Sequence, residues 1–346
     1  MEQRKAIEFG TSSLCITLPH TWVKKHQVNK GDVINVQETL RSTLELFPTT
    51  TKTDATSDVT INIGNKSSDE ITQRILASYL NGYTEITLLG EHEGQLPYLR
   101  AHIEKFIAAK IMEEDPKKII IKIFWDIEAI DLQSISRRID HIIRDMFEET
   151  KEILEYKNKT HDIIQKEVEI QRQILLTKRL ITCALNNSSI AQKFDLTTLD
   201  LHYMASITYF AGKIAEYIPT ISQRTRDPDT EKYLTQGDKG ELSRLLIRTQ
   251  EYYTKVMDRY HKISKDQTFA VSEYEEFQEE IEVFRENNNT RKRPLPGEYL
   301  LLTIRAIKEL EFTMINLENA PNPQAKKEEQ QKESDFHLKE KHIETE

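Results

Sequence analysis

Five basic side chains near the amino-terminal end, Arg4, Lys5, Lys24, Lys25 and Lys30, are suited to one chemistry above all, charge-assisted hydrogen bonding to phosphate oxygens. Over residues 1–30 only Glu2 and Glu8 oppose them, a local excess of three positive charges, whereas the whole 346-residue chain carries a formal charge of −9. A chain this acidic does not coat nucleic acid along its length, so any such contact is confined to that end. Catalytic groupings are missing from the sequence. The ten histidines are scattered, and no Ser/His/Asp or Cys/His arrangement can be assembled. Cys15 and Cys183 each lie in an apolar stretch, which suppresses the thiolate, and both are expected to be buried thiols rather than a disulfide or metal ligands. The expectation is a protein that is not an enzyme and holds no cofactor. Carboxylates spaced one turn apart, Glu275/Glu279 and Glu276/Glu280, belong to an acidic run that reads as a solvated helix face, with the basic stretch 289–294 balancing its charge. The turn Gly64-Asn65-Lys66-Ser67-Ser68 follows a strand but has neither the dinucleotide nor the Walker glycine pattern, so it is not a phosphate loop.

The elements that must position the basic residues are legible between Lys5 and Val36. Ile7 and Phe9, then Leu14, Ile16 and Leu18, alternate as two half-buried strands around Gly10, which predicts a hairpin. Pro19 suits the first turn of a short helix over 20–27, and Asn29-Lys30-Gly31-Asp32 is a tight turn before a strand over 33–36. A last strand spans 43–47. Fewer than about 60 residues close over too little apolar surface to fold alone, so this segment needs a partner.

Residues 49–58 are threonine-rich and read as a linker. A strand over 59–63, a helix capped by Ser67 or Ser68 and running to about Gly82, a strand over 85–90, a helix over 96–114 and a strand over 119–125 together predict a small βαβαβ unit. From Asp131 the period changes to 3.6. Ile135, Ile139, Ile142, Met146 and Ile153 form one apolar stripe, and five further helices follow. Pro219, Asp227-Pro228-Asp229 and Gly237 to Gly240 divide the six as three plus three. The residues after Ala320 have the mixed-charge composition of a disordered tail. The expected fold is multidomain α+β: 1–48, a spacer over 59–126, a helical region over 127–320 in bundles of about 127–220 and 238–320, and a tail over 321–346. No apolar run approaches the roughly 20 residues of a membrane span, and the start lacks a signal peptide, so a cytoplasmic protein without membrane insertion is expected.

Two resemblances add to this reading. The stretch GTSSLCITLPHTWVKKHQVNKGDVINV, through Thr11-Ser12-Ser13, Leu18-Pro19, Trp22-Val23 and Lys30-Gly31-Asp32, resembles the AbrB/SpoVT-type swapped-hairpin DNA-binding domain over roughly residues 1–48. In that family two chains interleave their hairpins into one barrel, which implies a homodimer and double-stranded DNA as partners. Residues 59–320, through ILASYLNGYTEITLL, IAAKIMEED, ISRRIDHIIRDMF and GKIAEYI, resemble PhoU-type phosphate uptake regulators, and their fusion to an AbrB-like head resembles the archaeal versions. The resemblance implies a phosphate-responsive transcriptional regulator that represses phosphate uptake, its bundles sensing phosphate status or a partner. The alternative it carries is an adaptor that docks on a phosphate ABC transporter or a sensor kinase and uses the head only to dimerise. The family's metal motif sets two carboxylates one helical turn apart. The matching positions here are Ala205/Tyr209, Glu167/Gln171 and Ile307/Glu311, so Glu167 and Glu311 remain as lone, weak candidates and no metal is expected.

Overall fold

The computed structural model describes residues 3–10, 13–38, 43–48, 58–92, 94–124, 126, 129–155, 161–232, 234–262, 271–288 and 296–320. The linker expected over 49–58 lies almost wholly outside them, as do the basic stretch 289–294 and the tail 321–346. The chain divides into two units, residues 1–55 and residues 56–346.

In the first unit β1 (Ile7–Phe9) and β2 (Ser13–Cys15) pair antiparallel, Ile7 opposite Cys15 and Phe9 opposite Ser13. This is the expected hairpin, and Gly10, at φ 73°, takes the left-handed backbone that begins its turn. Next come α1 (His20–Lys25), β3 (Ile34–Glu38) and β4 (Leu44–Pro48), the two strands forming a second antiparallel ribbon with Val36 opposite Leu46. Two separate ribbons stand where a closed barrel would be. Directly opposed residues share a face, so Ile7, Phe9 and Cys15 line one face of the first ribbon, and Ile34, Val36, Leu44 and Leu46 one face of the second. The first face is exposed and the second is only partly covered. Pro48 alone is buried among the described residues of this unit, and Ile7, Phe9, Leu14, Ile16, Val33, Val36 and Leu44 are all exposed. Cys15 is exposed with them, against the expectation of a buried thiol, because no described residue covers the ribbon face that carries it.

The second unit opens with a four-stranded sheet. β5 (Asp58–Asn62) runs parallel to β6 (Glu85–Leu89), α2 (Ser68–Leu80) crosses between them, and Ser67 caps α2 by accepting from the Glu70 amide at 3.2 Å. The helix expected over 96–114 is wrong for its second half. α3 (Leu96–Ile103) stops early, Ala108 turns the backbone left-handed at φ 67°, and β7 (Ala109–Asp115) folds back on β8 (Lys118–Ile123) around Pro116 and Lys117. The sheet order is β5-β6-β8-β7, with β8 antiparallel to both its neighbours, so the unit is βαβαββ rather than βαβαβ. Its core is Ile61, Ile75, Tyr79, Leu88, Leu99, Phe106, Ile119, Ile121 and Ile123.

Eight helices follow among the described residues: α4 (Leu132–Glu155), α5 (His161–Asn186), α6 (Ser188–Lys193), α7 (Thr198–Arg226), α8 (Pro228–Glu231), α9 (Gln236–Tyr260), α10 (Val271–Asn287) and α11 (Pro296–Glu318). The six long ones match the six expected helices. The break between the two sets is narrower than expected: α7 runs through the buried Pro219 to Arg226, and Gly237 and Gly240 lie inside α9. A capping box, Thr235 with Asp238, starts α9 ahead of its glycines and offsets their poor helix propensity. The two sets of three also share one core, in which Ile214, Ile218 and Ile221 of α7 join Leu300, Ile304 and Ile307 of α11.

A buried charge network ties α4 to the end of α9. Arg144 donates to Asp140 at 2.9 Å and to Asp258 at 2.7 Å, and His261 Nε2 lies 3.3 Å from the other Asp140 oxygen. Burial opposes ionisation of Asp140, but the nearby His261 ring and the hydrogen bond from Arg144 outweigh it and hold the carboxyl below its usual range. A depressed carboxyl contributes stability above its unfolded pKa of about 3.9, and that contribution is lost as pH falls through the lower folded value. Urea unfolding between about pH 6 and pH 3 should therefore show acid destabilisation that Asp140→Asn reduces while lowering stability at neutral pH. An unchanged pH profile in that variant would count against the network.

Candidate functional site

The five basic residues of the first unit are all exposed. Lys24 and Lys25 form the last turn of α1, where they complement the helix dipole, while Arg4 and Lys5 immediately precede β1. Lys30 sits in a turn closed by the Asn29 amide donating to the Asp32 carboxylate at 2.7 Å and the Asp32 amide donating to the Asn29 carbonyl at 3.1 Å. A short helix therefore fixes Lys24 and Lys25, and a closed turn fixes the stretch that carries Lys30.

The two lone metal candidates occupy unrelated places. Glu311, on α11, is buried and its Oε2 accepts from Tyr252 Oη at 2.6 Å and from Lys308 Nζ at 2.9 Å, so this carboxylate is committed to holding α9 against α11. Burial, reinforced by Glu311, pushes the Tyr252 hydroxyl far above its usual range and keeps it a donor. Glu167, on α5, is part-exposed; burial and the neighbouring Glu216 push its carboxyl up, and Lys105 opposes them. Among the described residues no three His, Cys, Asp or Glu side chains come together as a metal site.

The structure assembles something else, which the sequence did not disclose. α2 and the end of α3 face α5 and α7 across a cavity of about 460 Å³, lined on one side by Thr72, Leu76, His102, Lys105 and Phe106 and on the other by Ile174, Lys178, Tyr209 and Lys213. Gln171 and Tyr209, two of the positions where the PhoU-like motif would have carboxylates, are on its wall. Gly212 lets α5 and α7 approach at its floor, since a Cβ there would lie 3.2 Å from the Ile174 side chain. Lys213 is held by Glu216 at 2.9 Å and lies about 6 Å from the ring centres of Tyr209 and Tyr217.

One turn of α5 beyond this cavity, Arg179 is wholly buried. Its guanidinium donates to the carbonyls of Tyr79, Gly82 (3.1 Å) and Tyr83 (3.0 Å) at the end of α2, and lies over the Tyr79 ring. Gly82, at φ 90°, completes this joint: a Cβ there would come within 2.9 Å of Cys183 Sγ. The joint ties the end of α2 to α5 beside the cavity. Arg179 was detectable as a base on an apolar stripe, since Leu176, Arg179, Leu180 and Cys183 follow helical spacing.

The chain matches no family model, no curated protein and no solved structure. Among the described residues no helix is long and apolar enough to cross a membrane.

Proposed function

We propose that the protein is a homodimeric transcriptional regulator that binds double-stranded DNA through residues 1–48 and represses phosphate uptake, with its helical region receiving the signal. One observation carries the reading: among the described residues of the first unit only Pro48 is buried, while most of its apolar ribbon residues and all five cations are exposed. Strands with exposed apolar faces require a partner, and a second copy interleaving its ribbons supplies matching faces by symmetry. Two copies also double the basic surface and relate it by a two-fold axis, the arrangement that fits a pseudo-palindromic duplex. The AbrB/SpoVT-like and PhoU-like sequence patterns support the same assignment.

Mapping the intact protein on its own genome, with phosphate plentiful and scarce, tests it. The expected result is occupancy at discrete promoters of phosphate-uptake genes that changes with phosphate. Occupancy at no promoter, together with co-purification of a transporter or sensor kinase, would replace the proposal with the adaptor role.

A further inference from the structure

The cavity between the sheet layer and the helices has the chemistry of a ligand site, and we infer that it binds a nucleoside diphosphate. Three features of its lining carry the inference. Its volume, about 460 Å³, lies in the range of small-molecule sites and is far larger than a lone phosphate ion requires. Its walls combine an apolar portion, Leu76, Phe106, Ile174 and Leu175, suited to a planar base, with the amides of Gln73 and Gln171 for the edge of that base. Its charge is positive: Lys105, Lys178 and Lys213 against Glu216, in a chain whose overall charge is −9.

The pairing of these lysines decides between a ligand site and a solvated seam. Lys213 is already held by Glu216. Lys105 and Lys178 make no ion pair among the described residues and stand on opposite walls, Lys105 after α3 and Lys178 on α5. Lys178 has no carboxylate partner among the described residues and Lys105 has only the neighbouring Glu167, with which it forms no direct ion pair, so the two are placed to share a multivalent anion. The glycine-poor turn at 64–68 takes no part, so this is a side-chain phosphate site rather than a backbone loop. The inference does not depend on DNA binding by residues 1–48.

Calorimetric titration of the full-length protein with ADP, GDP, CDP and UDP tests it, with adenosine and inorganic phosphate as controls. At least one nucleotide should bind at a single site, adenosine and inorganic phosphate each much more weakly, since each supplies only half of the contacts. Lys105→Gln and Lys178→Gln should each weaken binding about 10-fold, the effect of one charge-assisted hydrogen bond. Lys110→Gln, an exposed lysine of β7 outside the cavity, should leave binding unchanged. Both cavity lysines are at least partly exposed, so circular dichroism of the variants should match the parent. Binding of none of the four nucleotides would overturn the inference. So would full binding by both cavity variants, or equal weakening by Lys110→Gln, which would mark diffuse attraction instead of a site.

Discussion

Replacing Ile7 and Phe9 together by aspartate should abolish the proposed dimer in sedimentation, with the helical region still folded. Both side chains lie on one face of the first ribbon, and Phe9 is 72% exposed in the single chain. Burying an Ile or Phe contributes about 1.5–3 kcal/mol, so four such side chains per dimer are worth about 6–12 kcal/mol. Losing them weakens association by four or more orders of magnitude, and the introduced carboxylates resist burial besides. Circular dichroism should change little, because nearly all the helix belongs to residues 56–346. An unmodified protein that sediments as a monomer, or a double variant that dimerises as before, would remove the basis of the homodimer.

The second large effect is expected inside the helical unit. Arg179→Ala should lower stability by about 3–5 kcal/mol, because three carbonyls at the end of α2 lose a charged donor while remaining covered. Burial pulls the pKa of Arg179 down, yet a guanidinium stays protonated in a protein, so the loss should not vary across neutral pH. Arg179→Lys should recover only part of it, since an ammonium cannot reproduce the planar fork that spans three acceptors. Urea unfolding of the two variants is the measurement. A loss below about 1 kcal/mol for the alanine variant would show that the joint is not the tie between the layers.

Much of the helical region could be read directly, because each long helix writes its buried face at a period of 3.6. Ile139, Ile142, Ile143 and Met146 on α4, or Leu242, Leu245 and Leu246 on α9, are buried where that period puts them. The failure at residues 96–114 has a local cause. Leu99, Ile103, Phe106 and Ile111 satisfy a helical period, yet Ile111 belongs to β7, and the left-handed Ala108 that separates the two elements carries no glycine or proline signal. Pro219 misled in the opposite direction: packing of α7 on α11 carries the helix through a residue that ends most helices. The cavity could not be read in advance, because Lys105, Lys178 and Lys213 are far apart in the chain and meet only when the sheet layer docks on α5 and α7. The basic residues at the amino-terminal end were visible because they are local. Their turns and short helix are set by neighbours in sequence.

Binding of the full-length protein to duplex DNA, followed as salt is raised, tests most directly the central proposal that residues 1–48 engage DNA. If two copies of Arg4, Lys5, Lys24, Lys25 and Lys30 neutralise roughly four to six phosphates, affinity should fall about 10²- to 10³-fold between 50 and 200 mM salt. Lys24→Ala with Lys25→Ala should flatten that slope and leave the dimer intact, since both side chains are exposed and lie outside the two ribbons. Absence of duplex binding at low salt, or a slope that the double alanine leaves unchanged, would contradict it.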